Sequence, residues 1–74
     1  MREVMAKRFI PLTEVSEILD ISAAQAYALV RSGELPAIKV GGRGQWRVEL
    51  TELDSYIERM YSQTKAFVEA QRED

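Results

Sequence analysis

Apolar residues recur first at helical spacing, then at strand spacing, then at helical spacing again. Leu12, Val15, Ile18 and Leu19 form one apolar stripe and predict a short helix from Leu12 to Leu19. Ile10-Pro11 opens it, since proline's missing N–H is harmless at a helix start. Asp20-Ile21 breaks the pattern. Ser22 with Gln25 three residues later reads as a capping box, and Ile21 can staple onto Ala26. A second helix then runs from Ala23 to about Ser32, closed by Gly33 in a left-handed cap. Two short helices joined by so few residues outline a helix-turn-helix, although any small helical hairpin reads similarly.

After Glu34-Leu35-Pro36, which cannot continue a helix, residues 37–40 alternate with period two and residues 46–48 do so again. Gly41-Gly42-Arg43-Gly44-Gln45 lies between them as a turn, so a β-hairpin is expected. Ile38, Val40, Trp46 and Val48 are expected to face inward, with Lys39 and Arg47 sharing the outer face. Thr51 is expected to cap a long last helix, with Asp54 at its third position. In that helix Leu50, Leu53, Ile57, Met60, Thr64 and Phe67 step by three and four. The fold class is therefore mainly α with a small β-hairpin: helix, helix, hairpin wing, long carboxy-terminal helix. Residues 1–9 read as a flexible leader, 10–57 as the folded domain, and 58–74 as an extension of the last helix.

Composition narrows the function. The 74 residues are 46% hydrophobic and 30% charged, which argues against wholesale disorder. The chain has no cysteine and no histidine, which removes disulfides, thiolate or imidazole metal sites, and Ser-His or Cys-His catalysis. No metal, cofactor or small-molecule ligand is expected, and the chain reads as a binding module rather than an enzyme. It has no apolar run of membrane-spanning length and no signal-peptide stretch, so no membrane is expected and the cytoplasm is its expected location. Net charge is −2, yet residues 1–47 sum to +2 and residues 48–74 to −4. The excess is too small to decide a partner, so the placement of charge has to.

On the second helix Ala26, Leu29 and Val30 fall on the core side. Ala24, Tyr27, Ala28 and Arg31 fall opposite, with Gln25 on the flank. Small outward residues let a helix lie close in a DNA major groove, Gln can pair with adenine, and Ala can touch a thymine methyl. Ser22 and the helix N-terminus suit a phosphate, and Arg31 suits a phosphate or guanine. The same alanines are also the best helix formers, so a plain solvated face or a protein contact stays open. The hairpin points more firmly to DNA. Lys39, Arg43 and Arg47 put three cations on one ribbon, and Gly42 with its neighbours allows close approach of backbone to phosphate. A phosphate-binding loop for nucleotides is set aside, because the glycines lead into a second strand and not a helix. Trp46 can stack on a base, but its inward phase favours a core anchor. Asp54 and Glu58 read as a solvated face. Met60, Tyr61, Phe67 and Val68 on the far half of the last helix suggest a partner helix or a second copy of the chain.

The residues EVSEILDIS (14–22), LVRSGELPAIKVGGRG (29–44), WRV (46–48) and TELDSYI (51–57) together resemble the excisionase family, a MerR-like winged helix-turn-helix group. The resemblance covers about two thirds of the chain. It implies sequence-specific binding of double-stranded DNA. The second helix would read the major groove and the wing would grip backbone or minor groove. Family members include phage excisionases, the recombination directionality factors. These bind cooperatively, bend DNA and guide an integrase (a tyrosine recombinase) toward excision. Others are small transcription regulators. Ala23, Ala24 and Ala28 stand where members often carry Arg or Lys, and Asp20 where a turn glycine is common. Fewer phosphate contacts mean weaker single-copy binding, which side-by-side association would offset. A third possibility is a winged module that contacts protein and has lost DNA binding.

Overall fold

A computed structural model describes residues 7–72; the first six residues of the expected leader lie outside the described residues. The order is β1 (Phe9–Pro11), α1 (Leu12–Leu19), α2 (Ala23–Ser32), β2 (Ile38–Val40), β3 (Gln45–Glu49) and α3 (Leu50–Gln71). It is a mainly helical fold with a small antiparallel sheet in the strand order β1-β3-β2, as a winged helix-turn-helix requires.

Both helices of the helix-turn-helix form where the pattern places them. Asp20 ends α1 in the left-handed region at φ 57°, a conformation that Asp tolerates better than most residues. Its N–H and that of Ile21 reach back to the carbonyls of Glu17 and Ser16, closing the last turn as in a Schellman motif. The capping box is complete: Gln25 N–H donates to Ser22 Oγ at 3.1 Å, and Ser22 N–H donates to Gln25 Oε1 at 3.0 Å. Gly33 caps α2 at φ 88°. Of the α1 stripe, Val15 is buried and Leu12 and Leu19 are half-buried, but Ile18 is 49% exposed. It lies on the side of the stripe away from Leu12 and Leu19.

Phe9 belongs to a strand and not to a leader. Phe9, Ile10 and Pro11 pair antiparallel with Glu49, Val48 and Arg47. That pairing also changes the start of α3. Glu49, and not Thr51, is the residue before the helix, and no side chain caps it. Instead Leu50 N–H donates to the Arg8 carbonyl at 2.9 Å, and Arg8 Nε donates to Glu49 Oε2 at 2.7 Å. The strand runs straight into the helix, and the residue just before β1 satisfies its first N–H.

The core draws one or two residues from every element except β2, with Leu35 from the loop after α2: Ile10, Val15, Ala26, Val30, Leu35, Val48 and Leu53. Trp46, Tyr56 and Ile57 pack against it. Every α3 residue from Tyr61 onward is exposed. The last three turns therefore extend past the core.

Candidate nucleic-acid interface

The hairpin corrects the expected facing of its residues. Four residues, 41–44, separate Val40 from its partner Gln45, so Lys39 lies opposite Trp46 and Ile38 opposite Arg47. Directly opposed residues of an antiparallel pair share a face. Across this even-length loop an odd-numbered residue therefore shares a face with an even-numbered one. Trp46 and Val48 do face the core. Ile38 and Val40 do not, being 49% and 47% exposed. They share the outer face with Arg47, while Lys39 joins Trp46 on the other. Its ammonium sits 5.1 Å from the centre of the Trp46 ring, within cation–π range.

Lys39 and Arg47 thus leave opposite faces of the ribbon. Arg47 folds along its own strand, donating through Nη1 to the Trp46 carbonyl at 2.8 Å and through Nη2 to Gln45 Oε1 at 3.1 Å. Arg43 stands at the tip, in the turn closed by Gly44 N–H donating to the Gly41 carbonyl. Gly41 and Gly44 hold positive φ of 86° and 63° on either side of Gly42 and Arg43, which favours glycine at both places. Arg43 contacts no carboxylate, carbonyl or ring among the described residues. It is the wing cation with nothing to release on binding a phosphate.

On α2, Ala24, Tyr27, Ala28 and Arg31 form an exposed face opposite the buried Ala26 and Val30. The Arg31 guanidinium lies 5.8 Å from the Tyr27 ring centre, within cation–π range. Gln25 stands apart from that face, in a shallow groove with Leu29, Tyr56 and Met60 on the side toward α3. Its Oε1 accepts from the Ser22 N–H, which fixes the orientation of the amide. Its NH2 group has donors to offer, and Oε1 keeps a second lone pair. Ser22 Oγ accepts from Gln25 but keeps its own hydroxyl hydrogen for an outside acceptor.

One contact has no counterpart in the sequence pattern. Arg59 on α3 donates to the Glu34 carbonyl at 2.9 Å and lies 5.8 Å from the Tyr56 ring centre. It ties the end of α2 to α3 across 25 residues, and no local spacing announces it.

Charge follows the same division. Residues 23–47 hold four Lys or Arg (Arg31, Lys39, Arg43, Arg47) and one carboxylate, Glu34. Residues 48–74, mostly α3, hold seven carboxylates and three cations. The second helix and the wing are the basic part of an acidic protein, while α1 and its turn carry Glu14, Glu17 and Asp20 and no cation. Among the described residues no helix is long and apolar enough to cross a membrane.

Comparison with curated proteins and with solved structures finds no match. A family profile does match, the Helix-turn-helix domain, over residues 12–61. The match begins at the first residue of α1 and runs through α2, the wing and the packed half of α3. With the fold, the cap geometry and a profile spanning about two thirds of its length, the chain belongs to the helix-turn-helix domain family, whose members suggest DNA as the partner.

Proposed function

We propose that this chain is an architectural DNA-binding protein of excisionase type. The exposed face of α2 enters the major groove. The Arg43 tip of the wing enters the adjacent minor groove or follows its phosphates. The chain binds cooperatively, bends the duplex, and directs an integrase toward excision. The observation that carries the reading is the concentration of cations between residues 23 and 47, with Arg43 unengaged at the tip of a glycine-bounded turn. Arg is favoured where a narrow minor groove concentrates negative potential. A protein that also carries an acidic helix cannot bind DNA by net charge, so placement must do it. The excisionase part rests on the resemblance of residues 10–57.

The test is an excision assay with a tyrosine integrase and its paired attachment sites. Excision should rise when the wild-type chain is added and should not rise with Arg43→Ala. Excision that proceeds equally without the chain overturns the recombination role. If the chain still binds DNA in that case, the same surface serves a small transcription regulator.

A further inference from the structure

The second half of α3 carries a surface that DNA binding leaves unused. Tyr61, Phe67 and Val68 are 75%, 63% and 45% exposed. At about 100° per residue they share one face with Met60 and Thr64. Toward the body that face continues into an apolar groove lined by Leu19, Tyr56, Ile57, Met60, Tyr61 and Thr64. Stripe and groove are one continuous strip along α3, bordered at the body end by Leu19 of α1.

We infer that α3 pairs with the α3 of a second copy of this chain, antiparallel, about a two-fold axis near Ser62. Phe67 and Val68 of each copy then lie in the groove beside the other's Ile57. The heptad spacing fixes the register. With Met60 opposite the partner's Thr64, Ile57 falls opposite the partner's Phe67. A parallel pair cannot use the groove, because it sets tail against tail while Leu53 is already buried in its own core. Charge favours the same orientation. Glu58 and Lys65 line one edge of the strip beside Tyr61 and Ser62. In the antiparallel register Glu58 lies nearest the partner's Lys65, and Lys65 nearest the partner's Glu58. In the parallel one Glu58 faces the edge that carries Arg59, which is already bound to the Glu34 carbonyl, and Lys65 meets no carboxylate.

The four aromatic rings of Tyr61 and Phe67 in a pair bring on the order of 500 Å² of surface. With the groove this remains a small interface beside the roughly 1,600 Å² of a standard complex. The pair is therefore reversible and concentration-dependent. Two-fold pairing is closed, so association stops at the dimer. Where the DNA-binding reading also holds, and this clause rests on it, a dimer engages two inverted half-sites and not a row of direct repeats.

The first experiment needs no DNA. Sedimentation of the full chain across micromolar to millimolar concentrations should show monomer and dimer and nothing larger. Phe67→Glu, at an exposed site, should keep the far-ultraviolet circular dichroism and weaken the dimer at least about ten-fold. The chain has no native cysteine, so orientation can be read by cross-linking. Mixed Met60→Cys and Thr64→Cys chains should form the hetero-disulfide in preference to either homo-disulfide. A monomer at every concentration, growth beyond the dimer, or preferential Met60→Cys homo-disulfide overturns the inference. A second arm uses duplexes with inverted or direct half-sites. Cooperative binding confined to the inverted arrangement supports it, and cooperative binding confined to direct repeats overturns it. Loss of all DNA binding with the dimer intact refutes only the DNA reading.

Discussion

The Gln25 amide oxygen accepts from the Ser22 N–H, a bond that fixes the amide for the cap while its NH2 group keeps donors for a base. A single substitution separates its two roles. Glu at the same place completes a Ser-x-x-Glu capping box equally well but has no donor to offer DNA and adds a charge that phosphates repel. Gln25→Glu should leave unfolding free energy within about 0.5 kcal/mol of wild type, measured by urea denaturation. It should weaken DNA binding about ten-fold, the loss of one good polar contact. Unchanged affinity would confine Gln25 to the cap. The cap itself was legible in the sequence, because capping is a matter of residue type at a fixed offset. The left-handed Asp20, at φ 57°, was marked only through the resemblance, which puts a turn glycine at that place.

At the level of elements, what the sequence shows depends on whether local rules suffice. α1 and α2 begin and end where stripe, cap and glycine place them. The hairpin exists where alternation and glycines predict it, but its facing could not be read from alternation. Facing depends on the parity of the loop, and a loop of four residues puts Ile38 with Arg47 and Lys39 with Trp46. β1 was missed because three residues ending in proline carry no strand period. Their partner, β3, lies some 40 residues away in sequence, as Phe9 opposite Glu49 shows. The bond from Arg8 that replaces the Thr51 cap was hidden for the same reason. The corrected facing has a measurable consequence. Val48 is fully buried and Ile38 half exposed. Val48→Ala should destabilise by about 2 kcal/mol, counting two lost methyl groups and the space they leave. Ile38→Ala should cost less than about 1 kcal/mol, although it removes more atoms. Thermal melts of the two variants check the order, and a larger loss for Ile38→Ala would restore the facing expected from alternation.

The whole molecule measures 53 × 32 × 18 Å with a radius of gyration of 15.1 Å, against roughly 11 Å for a compact chain of this length. The difference is α3, whose 22 residues span about 33 Å while the core needs only its first half. Shape and charge divide together, with a basic second helix and wing at one part and an acidic, apolar-striped rod at the other. The extension was legible from the unbroken heptad spacing. Its lack of a core partner was not, because only the packed fold shows that Leu53 is buried and Phe67 is not. On the proposed reading, DNA belongs to the basic part and a second copy of the chain to the rod. The most direct measurement is the salt dependence of duplex binding, followed by fluorescence anisotropy for the wild-type chain and for Arg43→Ala. Each phosphate contact contributes about 0.9 to the slope of log affinity against log salt. Arg43→Ala should therefore bind more weakly and lower the slope by about one. No binding at low salt, or a slope and affinity that Arg43→Ala leaves unchanged, would contradict the account.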